Sequence, residues 1–323
     1  MPPSASSHPT HNNAPAPAQK WLNVFQCCKF LRFLGHVMVL FVLALVGLTV
    51  YTVAVVVFAP LLSSRRAGKI IWASILLAIF SALVVMLLWS YFAAVSTDPG
   101  GVPPGWHPFL DEAHARSELE RMAYSDYYFD RRDPRRPRFC KRCQSWKPER
   151  SHHCSVSGRC ILKQDHYCIW VINCVGLLNY KSFLLFLAYT LIACLMSVLL
   201  LLGPVINFFN NELRGSGAPL ALIAFIMDMA LAAAILGFLV MHGQLIASNC
   251  TTIEMYEKDR LHPWPYNKGA RKNFEEVFGR TKWRWFLPYY SQEERTHLVD
   301  TYLGQRLLSG VNPEAFFTLS STV

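Results

Sequence analysis

The four residues Asp165-His166-Tyr167-Cys168 combine a thiol, an imidazole and a carboxylate within one short string. A free cysteine has a pKa near 8.5, so only a few per cent is the reactive thiolate at neutral pH. An imidazole can take the proton, and a carboxylate can orient that imidazole and stabilise its charge. In an extended segment residues two apart share a face, so His166 can meet Cys168, whereas Asp165 needs a turn to reach His166. Such a string recurs by chance and gains meaning from its neighbours. A long apolar run restarts at Ser182, fourteen residues beyond Cys168. A thiol held near a membrane surface suits a long-chain acyl thioester. It attacks the thioester, holds the acyl group covalently and passes it to a second thiol, in a ping-pong transfer.

Upstream lies Cys140-x2-Cys143-x9-His153-x6-Cys160, which has zinc-ligand spacing. A cytosolic setting disfavours disulfides, so these four are predicted to hold one tetrahedral Cys3His zinc. Shifted by fourteen positions, the spacing returns as Cys154-x2-Ser157-x9-Tyr167-x6-Cys174. Neutral Ser and Tyr hydroxyls are not ordinary zinc ligands, and two cysteines do not close a tetrahedral site. This second set is therefore predicted empty, held by packing and hydrogen bonds. Completion of a distorted second site by His152 or Cys168 is the competing reading.

The elements that must position these groups are membrane helices. Of 323 residues, 53% are hydrophobic and only 16% charged, against roughly 25% charged in a soluble domain. No charge occurs over residues 33–64, 70–97 or 182–211, and residues 219–249 are interrupted only by Asp228. Each run exceeds the roughly 20 residues that cross a bilayer. The first starts too late and runs too long for a cleaved signal peptide. The segments outside the spans carry 3, 3, 14, 1 and 10 Lys+Arg in chain order, which puts 27 on one side and 4 on the other. The positive-inside rule then places both termini and the central loop in the cytoplasm.

The net charge of +10 follows the topology, because basic residues sit beside the spans where anionic headgroups lie. Nucleic-acid binding is not expected, since residues 98–181 hold ten acids against fourteen bases. Asp228 is read chiefly as a structural group, protonated and hydrogen-bonded to a neighbouring helix or close to a helix end, with a functional role as the alternative. The expected organisation is a disordered cytosolic tail (1–32), spans one and two (33–97), a cytosolic Cys-rich catalytic domain (98–181), spans three and four (182–249) and a cytosolic C-terminal tail (250–323). The fold class is an all-α polytopic membrane protein, with four transmembrane helices and a small zinc-stapled Cys-rich domain between the second and third.

These residues resemble the DHHC family of protein S-acyltransferases, the palmitoyltransferases. The resemblance covers residues 33 to about 279 and includes the four-span layout and the placing of the Cys-rich domain. It extends to Asp98-Pro99-Gly100, Lys147-Pro148, Asn173-Cys174-Val175-Gly176, Asn179 with Phe183, Thr251-Thr252-Ile253-Glu254, and Asn273-Phe274-Glu275-Glu276-Val277-Phe278-Gly279. It implies an acyl-CoA donor, long-chain and most simply palmitoyl, and acceptor cysteines on the cytoplasmic side of membrane-associated proteins. Carried over by position, Cys168 is the acylated nucleophile, His166 the base and Asp165 its orienting partner. Thr252 hydrogen-bonds near Asp165, Asn273 buttresses the Thr-Thr-x-Glu segment, and the helices form a tent-like acyl cavity. The chain departs from the family at Tyr167, where a second histidine is usual. In the family pattern that histidine is a zinc ligand, so its loss agrees with Ser157 and leaves the dyad intact.

Smaller signals remain. Cys27 and Cys28, just before span one, are candidates for acylation. Lys147, Arg150, Arg159, Lys163 and Lys181 are candidates to meet CoA phosphates, against the plainer reading of a solvated basic surface. Ala193 and Ser197 share one face of span three, about 15 Å below its start at 1.5 Å per residue. Cys194 reads as packing. The rival to an S-acyltransferase is a non-catalytic zinc-binding membrane adaptor. A thiol oxidoreductase would want a Cys-x-x-Cys beside the reactive thiol, and the only such pair is better used by zinc. The choice among ER, Golgi, vacuole and plasma membrane stays open.

Overall fold

The computed structural model describes residues 29–108, 113, 117, 138–210, 217–258 and 263–304. Cys27, Cys28 and the N-terminal tail through residue 28 lie outside them.

Among the described residues, four helices are long and apolar enough to cross a membrane. Helix α1, Lys29–Tyr51, continues through a π-helical stretch, Thr52–Phe58, into a last turn, Ala59–Leu62. The π turn follows Thr52, whose hydroxyl donates to the Leu48 and Thr49 carbonyls at 3.0 Å each. Such insertions open the backbone ladder locally. Helix α2, Ala67–Ser96, gives way to extended backbone at Thr97. Pro99 favours that exit, because a residue before proline avoids helical geometry. Helices α3, Tyr180–Phe209, and α4, Gly217–Ala247, complete the set. Helix α3 packs along both α2 and α4.

Between α2 and α3 lie three antiparallel hairpins: β1 (Arg138–Cys140) with β2 (Ser145–Lys147), β3 (Ser151–Cys154) with β4 (Arg159–Leu162), and β5 (His166–Cys168) with β6 (Asn173–Val175). A two-stranded hairpin is marginal alone, so each needs outside support. Asp98 supplies some of it. Its carboxylate accepts from the Gly100 and Gly101 amides at 2.8 and 3.2 Å and pairs with Arg159 at 2.6 Å. The Asp98-Pro99-Gly100 turn thus docks along β4, where the Leu162 amide donates to the Gly100 carbonyl at 2.8 Å. Gly176 has no room for a side chain: a Cβ there would stand 2.7 Å from Ile161 and 2.9 Å from the Pro99 carbonyl.

After α4 the chain returns over this domain. Helix α5, Ala270–Phe278, packs on α4 and α3. Helix α6, Gln292–Leu303, opens with a Ser291–Glu294 capping box and lays Leu298 and Val299 against Leu162, Leu177 and Leu178.

Candidate active site and metal centre

The three hairpins are one unit repeated at an interval of fourteen residues. Cys140 pairs with Ser145, Cys154 with Arg159 and Cys168 with Asn173 in the same register. A left-handed turn residue recurs at the same interval, at Gln144 (φ 53°), Gly158 (φ 70°) and Ile172 (φ 51°). The two-copy reading leaves the third hairpin out, although Cys140, Cys154 and Cys168 already carry its spacing. At the next position of that pattern the third copy has Val171.

In the first copy the ligand atoms of Cys140, Cys143, His153 and Cys160 all lie within 4.8 Å of one another. The His153 Nδ1 is 3.7 Å from the Cys140 sulfur and 3.1 Å from that of Cys143, which stands 3.7 Å from Cys160. Metal–ligand bonds of about 2.0–2.3 Å fit inside such a cluster, so the four groups can hold a metal ion. Among the described residues they form the single cluster of this kind.

The second set is gathered in the same shape with different chemistry. The Ser157 amide donates to the Cys154 sulfur at 3.4 Å, as the Cys143 amide does to Cys140, and the Ser157 hydroxyl is 3.9 Å from Cys174. A hydrogen bond between the two thiols holds Cys154 down to about 5 and, with burial, pushes Cys174 up. Tyr167 packs on a small core of Cys154, Ile161 and Cys174. Neither His152 nor Cys168 joins a metal-capable group.

Residues Asp165, His166 and Cys168 come together on the third hairpin. His166 Nδ1 donates to Asp165 Oδ2 at 2.7 Å, so the turn that Asp165 requires is present. The other Asp165 oxygen accepts from the Thr252 amide at 2.9 Å, and the Thr252 hydroxyl donates to the Asp165 carbonyl at 2.5 Å. Burial works against the imidazolium, but hydrogen bonds to Asp165 and Cys168 and their charges outweigh it, raising His166 to about 9. Cys168 is buried, 7% exposed. It opens onto a cavity of about 440 Å³ between the helices, with His166 beside it and walls that include Val42, Leu87, Phe186 and Leu187. The His166 ring is held edge-on by Phe183, with centroids 5.2 Å apart.

The Cys-rich domain is fixed from two sides. Asn173 donates to the Ala94, Val95 and Thr97 carbonyls at 3.2, 3.2 and 2.9 Å, and the Tyr91 hydroxyl donates to the Trp170 carbonyl at 3.0 Å. From the C-terminal side, Arg150 binds both Glu254 oxygens at 2.7 and 2.6 Å and the Asn249 carbonyl at 3.0 Å. Lys163 bonds to Glu276 at 2.8 Å, and Tyr302 donates to Glu276 at 2.6 Å. Burial would raise the Glu276 carboxyl, but Lys163, Lys268 and Tyr302 hold it well below the usual carboxylate range.

Three readings need correction. Arg150, Lys163 and Lys181 are buried and bonded inside the protein, Lys181 to the Tyr289 carbonyl at 3.1 Å, so they are not a phosphate-facing surface. The Asn273 amide hydrogen-bonds elsewhere than the Thr-Thr-x-Glu segment: it donates to the Ala247 carbonyl at 2.7 Å, at the end of α4, and to Asn267 at 2.8 Å. Asp228 is also no helix-end residue. It lies inside α4, buried, and accepts from Thr49 of α1 at 2.9 Å.

A buried thiol beside an imidazole and a carboxylate, in the wall of an apolar cavity among four helices long and apolar enough to cross a membrane, defines a class of multi-pass membrane protein. Residues 133–259 match the model of the DHHC palmitoyltransferase family. The chain is 45% identical over 281 residues to "Probable protein S-acyltransferase 13" of Arabidopsis thaliana, covering 85% of this chain and 92% of that protein. It is 46% identical over 277 residues to "Probable protein S-acyltransferase 14" of the same plant, covering 84% and 90%. To "Palmitoyltransferase ZDHHC20" of Homo sapiens it is 33% identical over 308 residues, covering 90% and 81%. The chain belongs to the DHHC palmitoyltransferase family.

Proposed function

We propose that the chain, a protein S-acyltransferase by family, works through an acyl-Cys168 intermediate, with His166 as the base and Asp165 as the group that orients it. The observation that carries this is the placing of Cys168 and His166 in the wall of an apolar cavity between the helices. Asp165 accepts from Nδ1, which leaves the other ring nitrogen for the thiol. At neutral pH His166 already holds the proton taken from Cys168, and the thiolate attacks the carbonyl of a long-chain acyl-CoA. The new S–C bond forms as the bond to the CoA sulfur breaks, and His166 returns its proton to the departing CoA thiolate. A cytoplasmic cysteine of a membrane-associated protein then gives its proton to His166 and attacks acyl-Cys168. The acyl group leaves on the acceptor, and Cys168 returns to the thiolate beside protonated His166. Thr252 positions Asp165 and touches no reacting atom.

The reading includes one zinc, held by Cys140, Cys143, His153 and Cys160, which supplies structure rather than chemistry. Cys154, Ser157, Tyr167 and Cys174 hold none. Both termini and the Cys-rich domain face the cytosol, following the Lys+Arg asymmetry. The deciding experiment compares wild type with C168S for hydroxylamine-sensitive acyl transfer from radiolabelled palmitoyl-CoA. Labelling is expected to vanish in C168S, and equal labelling would refute the nucleophile and favour a non-catalytic adaptor.

A further inference from the structure

A second polar pair stands beside His166, and the mechanism above does not use it. Tyr180 opens α3, and His242 lies in the last turns of α4. The Tyr180 hydroxyl and His242 Nδ1 are hydrogen-bonded at 2.8 Å. His242 is fully buried and Tyr180 nearly so. The second imidazole nitrogen of His242, Nε2, is buried with no hydrogen-bond partner, so Tyr180 is the polar hold on that ring. A phenol and an imidazole between two apolar helices are costly to bury, and polar groups at that depth point to function by default.

A pin between α3 and α4 could stand at any level of the bundle, and this one stands at the level of the base. The His242 ring centre is 6.2 Å from that of His166. Phe183 and Phe238 pack on both imidazoles, at 5.2 and 6.4 Å from His166 and at 5.6 and 4.7 Å from His242. The charge of Asp165 acts on both members of the pair, and that of His166 acts on His242. Phe183 and Phe238 line the cavity, whereas Tyr180 and His242 do not. The pair therefore meets the base without meeting the acyl chain. An imidazole bonded to Asp165 through Nδ1 can still pivot about that bond. Ring contacts limit the pivot, and of the three rings that supply them His242 is the one tied in place by a hydrogen bond. A small misplacement of a reacting group costs rate steeply.

We propose that Tyr180 and His242 are positioning residues for acyl transfer: the bond between them holds the His242 ring against His166 and keeps the base aimed at Cys168. This rests on His166 as the base. The test follows loading of Cys168 from palmitoyl-CoA by intact mass in the purified full-length protein, for wild type, H166A, Y180F, H242F and Y180F/H242F. Y180F and H242F keep both rings and lose the bond. Each should lower the maximal loading rate by about tenfold, the worth of about one buried hydrogen bond. The palmitoyl-CoA concentration giving half the maximal rate should not move, because neither side chain lines the cavity. The double variant should be no slower than either single one, since both remove the same bond. A helix pin alone would lower the melting temperature and leave the rate unchanged. Wild-type rates in folded Y180F and H242F, a loss confined to the half-saturating concentration, or additive losses in the double variant overturn the positioning role and leave His166 standing. An H166A that loads as fast as wild type overturns both.

Discussion

The first and second cysteine sets have nearly the same geometry and differ in what holds them. Around Cys140 and Cys143 the amide-to-sulfur distance is 3.4 Å and the gap to the closing cysteine is 3.7 Å. Around Cys154 and Ser157 the corresponding distances are 3.4 and 3.9 Å. Four strong ligands converge in the first; two thiols, a hydroxyl and a phenol ring converge in the second. The second set joins β3–β4 to the hairpin that carries Cys168, and that hairpin is tied independently to α2 through Asn173 and Tyr91. The first set joins β1–β2, whose packing among the described residues is a small cluster around Trp106 and Trp146. The second set thus keeps the shape of the first with weaker ligand chemistry, next to a hairpin that a membrane helix already braces.

That contrast can be broken in several ways. The largest effect is expected from H153A. Structural zinc contributes about 10–16 kcal/mol of apparent folding free energy in small zinc modules, which exceeds the net stability of most domains. Metal content, near one zinc per chain in wild type, should fall towards zero, and acyl loading should be lost with it. T252A comes next: it removes the hydroxyl bond to the Asp165 carbonyl but keeps the amide bond to the carboxylate. Loading of Cys168 should slow by roughly tenfold, equivalent to about one neutral hydrogen bond, with metal content unchanged. In C174S a buried thiol becomes a hydroxyl, at a cost of about 1–2 kcal/mol. The melting temperature should drop by a few degrees while one metal per chain remains; loss of the metal would show that the two sets are not independent.

The double change S157C/Y167H rebuilds the missing ligands and sharpens the comparison. A second metal is expected, with a melting temperature at or above that of wild type. The smallest effect concerns pH. His166 is raised from 6.5 to about 9, so its pairing stabilises the folded protein fully below pH 6.5 and is lost as pH rises through 9. Wild type should therefore lose more melting temperature than H166Q between pH 7 and 9.5, and parallel curves would remove the imidazolium pairing.

The four spans were legible because uncharged runs of this length have few other uses, and the first metal set because its spacing is specific. Asp165, His166 and Cys168 were readable as a string, since a hairpin strand and one turn suffice to join them. Thr252 was reachable only through the family resemblance, because it acts from 87 positions away. The burial of Arg150 and Lys163 was not legible at all. Their partners Glu254 and Glu276 lie about a hundred residues on, and composition does not distinguish a buried basic residue from a solvated one. The third repeat escaped because its second ligand position is Val171, which removes the cue that marks the other two.

The clasp formed by Arg150, Glu254, Glu276 and Tyr302 has a consequence for biogenesis. Cys168 and Arg150 are made before α3, but Thr252 and the clasp residues Glu254, Glu276 and Tyr302 are translated only after it. Until Thr252 has been made, Asp165 lacks the amide and the hydroxyl that hold it. On the proposed mechanism, a nascent chain halted before that point carries Cys168 with the Asp165 carboxylate held by His166 alone, so the order of synthesis places full support of the pair after α4.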